Sequence, residues 1–248
     1  MIPIWLHEAA SRYNSQSLAN RDAYAAVLLM PIQNLVTILD WTFQSLPDEI
    51  LVGMDPDNNR PNPKEVVEAY SGVDQETGLF AGQGYLLGKP HLVNRGDSFE
   101  VHHVPEEWMD GLFSTDRGSR GSRFTHWLHT HPNAPAIPSG ADADASQWTE
   151  GTDMILGIRF SPEGYLPWFD DVDGVRRPLR DLDDSGALGR AKTGHLIHGL
   201  DLICFHRTGL GVNLVITDAR GHAIESVSYT HLRAHETDSY LVCRLLLE

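Results

Sequence analysis

Apolar positions along this chain switch between a strand-like and a helix-like period. Residues 23–30 (AYAAVLLM) form a short apolar run suited to a buried strand. Pro31 follows, at home in a first helical turn. Leu35, Ile38, Leu39 and Phe43 then recur at three- and four-residue spacing, which predicts an amphipathic helix ending near Leu46 and Pro47. Residues 49–54 (EILVGM) read as the next strand, and the Asp-, Asn- and Pro-dense DPDNNRPNPK as a turn. Residues 65–70 (EVVEAY) fit either a return strand or a short helix. Residues 78–88 (GLFAGQGYLLG) carry four glycines among apolar residues, the pattern of strands around a bulge or turn. A strand over 98–104, a helix from Pro105, a strand over 123–131 and a helix from Pro138 to about Thr149 follow. Residues 154–160, 200–206 and 212–217 complete the strands.

Strands alternate with helices and no Gly-rich phosphate loop appears, so the expected class is α/β or α+β with packed layers. One domain over 23–225 is expected, preceded by a helical extension over 1–22. Residues 226–248 (SVSYTHLRAHETDSYLVCRLLLE, from Ser226) resemble translated adapter read-through, so His231, His235 and Cys243 are set aside.

Composition narrows the function classes. The 248 residues are 41% apolar and 21% charged, an ordinary globular balance. A formal net charge of −15 disfavours nucleic acid and anionic lipid as partners. Two cysteines, Cys204 and Cys243, cannot build a disulfide framework or a cysteine-rich zinc finger, and point to a reducing, cytoplasmic compartment. The first residues lack the charged and apolar regions of a signal peptide, and no run of about 18 apolar residues exists to span a membrane.

Chemistry concentrates in Trp127-Leu128-His129-Thr130-His131-Pro132, followed by Ser139 and Asp142. Alternation along a strand sends His129 and His131 to the same side. Pro132 ends the strand, and Asp142 lies one turn into the next helix, where it can supply an oxygen ligand. Two imidazoles and one carboxylate leave a fourth tetrahedral position open, as in a catalytic zinc site. A surface strand and a plain capping box, with Asp in the usual Glu place, also fit these fragments separately. Capping and metal binding use different atoms, so the two roles are compatible. By the same alternation His126 points away from the pair, and His102 and His103 cannot readily share one site. Asp144 lies on another helix face, while Asp170, Asp171 and Asp173 read as a solvated turn.

His-x-His, seven residues, Ser, two residues and Asp, with Trp127 and Pro132 around the histidines, resembles the JAMM (MPN+) zinc metalloprotease family over about residues 23–169. The resemblance implies a three-layer, cytidine-deaminase-like fold with a mixed central sheet flanked by helices. It also implies Zn2+ held by His129, His131 and Asp142, and a water that attacks an isopeptide or peptide bond. An upstream Glu serves as base and then acid, and Ser139 donates to the developing oxyanion. Two residues compete for the glutamate role. Glu49 follows an amphipathic helix and opens a strand, whereas Glu76 stands in QETGLFAG, closer to His129 in sequence. Glu49 is preferred because strand and helix precede it in the right order. The implied partner is a protein substrate, a ubiquitin-like modifier conjugate. A silent scaffold of the same fold, or a hydrolase of sulfur-carrier adducts or small peptides, is the alternative.

Overall fold

Helix α1 (Ile4–Ala19) brings Leu6, Ala9 and Ala10 into the interior. The computed structural model describes residues 2–73, 79, 84–96, 124–166, 168–170, 176–178 and 186–225, with only backbone for 168–170 and 176–178. Strand β1 (Ala26–Pro31) is buried at every position, as an unbroken apolar run demands. Helix α2 (Ile32–Ser45) turns Leu35, Ile38, Leu39 and Phe43 inward. Strand β2 (Ile50–Met54) follows, and residues 65–70 resolve as helix α3 (Lys64–Tyr70). Pro63 stands immediately before that helix, where a missing N–H costs nothing.

Strand β3 (His91–Arg95), strand β4 (His126–Pro132), helix α4 (Gly140–Ser146) and strand β5 (Thr152–Ser161) continue the chain. Among the described residues, strands β6 (Trp168–Asp170) and β7 (Arg176–Pro178) pair with each other alone. Strands β8 (Gly189–Arg190), β9 (Leu196–His206) and β10 (Val212–Thr217) close the described chain. A six-stranded sheet runs β3-β2-β4-β5-β9-β8, with β4 and β5 parallel and every other neighbour antiparallel. Strands β1 and β10 form a separate parallel pair. The architecture is therefore mixed α+β, a mixed sheet flanked by helices, in agreement with the class expected from sequence.

The two faces of the large sheet differ. Leu128, Met154, Leu156 and Ile158 project onto α1 and α2 and share one core with Leu28, Ile38 and Ile50. Each such aliphatic, fully withdrawn from water, contributes roughly 1.5–3 kcal/mol. Among the described residues, the opposite face carries a small cluster of Ala136, Ile155 and Phe205. That thinner face is where polar chemistry can sit beside water.

The segment 1–22, read from sequence as an extension, shares the main core. Asn14 Nδ2 donates to Ile216 O at 2.7 Å and Ile224 O at 2.9 Å, and its Oδ1 accepts from Ile216 N–H at 2.8 Å. Ser17 Oγ donates to Leu214 O at 3.2 Å. Buried polar bonds of this kind satisfy backbone groups of β10 that would otherwise be stranded from water. Among the described residues, no helix is long and apolar enough to cross a membrane. The strand expected over 98–104, the helix from Pro105 and the 226–248 tail lie outside the described residues, as do Glu76, His102 and His103.

Candidate metal centre

Strand β4 alternates strictly. His126, Leu128 and Thr130 are fully buried on the core side, while His129 and His131 emerge on the thinner face. Helix α4 begins just beyond, and a reciprocal capping box fixes its first turn. Ser139 Oγ accepts from Asp142 N–H at 3.2 Å, and Asp142 Oδ2 accepts from Ser139 N–H at 2.6 Å. The cap orients the Asp142 carboxylate toward the two rings, with Oδ1 at 3.1 Å from His129 Nε2 and Oδ2 at 3.5 Å from His131 Nε2.

The two Nε2 atoms lie 3.0 Å apart. Donor atoms of His129, His131 and Asp142 all fall within 4.8 Å of one another, and each side chain is 13–17% exposed. Ligands about 2.0–2.1 Å from a tetrahedral zinc stand about 3.3 Å from each other. The observed separations bracket that value, so the donor set fits the ion.

Tautomer chemistry strengthens the fit. His131 Nδ1 lies 3.0 Å from Pro135 O, so the neutral ring donates there and keeps a lone pair on Nε2. That lone pair faces a second imidazole nitrogen and a carboxylate. Such a concentration of electron pairs needs a proton or a cation at its centre. Burial alone raises the Asp142 carboxyl, yet hydrogen bonds to His129, His131 and Ser139 outweigh it and hold the group far below the usual carboxylate range. Burial works against charging His131, but Asp142, the Pro135 carbonyl and Glu49 together raise its pKa.

The loop between β4 and α4 is held against β5. Asn133, in the left-handed region at φ 53°, donates its N–H to Ile158 O at 2.7 Å, and its Oδ1 accepts from Phe160 N–H at 2.7 Å. Gly157 lies opposite His131 in the β4–β5 register and leaves room for the loop to pass. A Cβ there would stand 2.9 Å from Ala134 O and Ala136 N.

Glu49 immediately precedes β2. Leu51 pairs with His129, so continuing the antiparallel register by two residues sets Glu49 opposite His131. Ile50 N–H donates to Thr130 Oγ1 at 2.9 Å, which shows the strands still adjacent at that level. The influence of Glu49 on His131 agrees with this placement.

Four other histidines of the described residues bond within the fold. His126 is buried beside Thr152, its Nδ1 accepting from Thr152 N–H at 3.2 Å, and desolvation pushes its pKa down to about 4. His195 bonds Gly164 O and Thr193 Oγ1, His198 bonds Ser161 Oγ, and His206 bonds Thr208 Oγ1. Asp144 is exposed and outside the cluster. Sequence reasoning missed the Pro135 carbonyl, which carries no side-chain signature. It also passed over Asp153, an acid just before the apolar MILGI stretch of β5, where burial raises the pKa to about 6. A charge inside such a run was the available signal.

No model of a protein family matches the chain, and no curated protein matches it. Among solved structures, the chain is similar to a solution structure of a protein from Salinibacter ruber. The identity is 16%, the match covers 63% of this chain and 95% of that chain, and the TM-score is 0.30. A likeness of that size carries no argument about fold or function.

Proposed function

We propose that this chain is a JAMM-type zinc metallo-isopeptidase or peptidase that hydrolyses isopeptide or peptide bonds, with ubiquitin-like modifier conjugates as its substrate class. One observation supports the reading most: two imidazole nitrogens and a carboxylate converge from β4 and α4 on one point, beside the strand that Glu49 opens. The sequence of elements also agrees with a JAMM-like fold, since a His-bearing strand is followed by a short capped helix and a parallel return strand.

A zinc ion in this cluster would polarise a substrate carbonyl and acidify a coordinated water. Glu49, opposite His131, takes the proton from the attacking water and delivers it to the leaving amine. Ser139 Oγ already accepts from Asp142 N–H, and its own proton is the one it offers to the oxygen of the attacked carbonyl. Asp142 is held by the cap before any substrate arrives, so the ligand set is ordered by the fold itself. No covalent intermediate on a side chain is required, and Cys204 is buried with its thiol pKa pushed up to about 12.

The test is hydrolysis of a modifier–lysine isopeptide conjugate, run beside a panel of short peptides. Comparison of wild type with Glu49→Gln, Glu76→Gln and the double variant assigns the base. The wild type should cleave the conjugate in a chelator-sensitive way, and Glu49→Gln should lose roughly 10²- to 10⁴-fold in rate. Hydrolysis by the double variant at the wild-type rate would overturn the proposal.

A further inference from the structure

A cavity of about 400 Å³ is lined by α1, β9 and the loop that follows His131. That volume lies within the range of about 300–1,000 Å³ typical of pockets that take a small ligand. Buried apolar residues line its depth, among them Leu6 and Ala9 of α1 and Leu156 of β5. Tyr13 and Leu202 face it too, and the Tyr13 hydroxyl donates to Leu202 O at 3.2 Å, which ties α1 to β9. Toward solvent stand Ile137, 65% exposed, and the exposed Asp201. Among the described residues, Asp201 is the one charged group lining the cavity.

One wall is shared with the candidate metal centre. Pro135 lines the cavity, while its carbonyl lies 3.0 Å from His131 Nδ1 and accepts the Ile137 N–H at 2.8 Å. Ile137 in turn stands two residues before Ser139. An extended chain advances about 3.3–3.6 Å per residue, so a side chain lodged here belongs to a residue only a few positions from a bond held at the His129–His131–Asp142 cluster. Apolar walls reward an aliphatic or aromatic group. The Asp201 carboxylate, on a chain of net charge −15, favours a positive charge beside that group. Helix α1 and strand β9 both lie outside residues 23–169, so the JAMM resemblance does not account for this cavity.

We propose that the cavity is a peptide side-chain pocket serving the same centre: it takes a leucine-sized or larger apolar side chain with a lysine or arginine next to it. The inference rests on the metallopeptidase reading for the position of the scissile bond, whereas capture of the peptide itself needs no metal.

The probes are fluorescein-labelled hexapeptides with a central Leu-Lys, Ser-Lys or Leu-Glu pair between glycines, titrated with the full chain and followed by anisotropy. Burial of one leucine side chain predicts that Leu-Lys binds about 10- to 100-fold more tightly than Ser-Lys. The exposed Asp201 charge predicts a preference for Leu-Lys over Leu-Glu of about two- to fivefold, and Asp201→Asn should narrow it. Ala9→Phe fills the cavity and should abolish the leucine preference. A benzophenone side chain in place of the leucine, photo-crosslinked to wild type, keeps the test decisive if that variant does not fold; its adducts should map to α1, β9 or residues 135–137. Equal affinity for Leu-Lys and Ser-Lys, an intact leucine preference in folded Ala9→Phe, or adducts confined to other segments overturns the inference. Octylamine bound where no peptide binds makes the cavity a small-amine site and overturns it as well. Leucine preference with adducts on the lining, in a chain that holds no zinc, upholds the peptide pocket and defeats the metal-centre reading, so the two failures are told apart.

Discussion

Replacing Gly157 by alanine probes how the loop after His131 supports the proposed metal centre. The added Cβ would stand 2.9 Å from Ala134 O and Ala136 N and 3.2 Å from Pro135 C, all main-chain atoms that cannot rotate away. Comfortable contact lies near 3.5–4.0 Å, so the loop must retreat by roughly half an ångström or more. Overpacking of this kind costs about 1–3 kcal/mol of stability. The same retreat stretches the Pro135 O–His131 Nδ1 contact from 3.0 Å to about 3.5 Å, the outer limit of a hydrogen bond. Loss of such a support weakens metal binding roughly 10- to 100-fold. Chelator competition and thermal unfolding on one preparation read both effects. Gly199→Ala is the control, because the three atoms nearest its Cβ, the first at 2.5 Å, all belong to the guanidinium of the flexible Arg159 side chain, which can swing aside. A Gly157→Ala protein destabilised as calculated yet binding zinc like wild type would refute the link between loop and ligand.

Two further expectations follow from the same geometry. Ser139→Gly keeps most of the capping energy, since glycine in place of serine costs only a few tenths of a kcal/mol at this position, yet conjugate hydrolysis should fall about 10²- to 10³-fold; an unchanged turnover number removes Ser139 from the reaction. His126 titrates near 4 when folded and at 6.5 otherwise, so the unfolded chain binds the extra proton between those values. Stability from this site is present above pH 6.5 and is lost as pH falls toward 4, by up to about 3 kcal/mol. Urea midpoints should show that acid-side slope in wild type and a shallower one in His126→Phe; equal slopes would show that His126 is not buried neutral.

Much of the centre is legible in the sequence because it depends on local periodicity. A period of two puts His129 and His131 on one face, and the Ser139–Asp142 spacing marks a helix N-terminus whose capping box aims the carboxylate. These are short-range rules, and the apolar runs of β1 and β10 follow from equally local signals. What stayed hidden depends on tertiary register. The position of Glu49 beside the cluster comes from the Leu51–His129 pairing, which sets it opposite His131 and which no local pattern reveals. Residues 65–70 suit a strand or a helix by pattern, and their position after Pro63 ends as helix. Helix α1 reads as a polar extension because its inward residues include Ser11, Asn14 and Ser17, and the burial of Asn14 and Ser17 is intelligible only through their bonds to β10 and its surroundings. Pro135 acts through its carbonyl, which no side-chain pattern reveals.

The central physical claim is that three side chains form one zinc site, and metal content tests it most directly. The full chain, purified without added chelator and dialysed against metal-free buffer, is assayed by elemental mass spectrometry beside a His129→Ala/His131→Ala variant of verified fold. One zinc per chain in wild type and none in the variant is the predicted result. A wild type that holds no zinc even after reconstitution, or a variant that holds as much as wild type, would contradict the account.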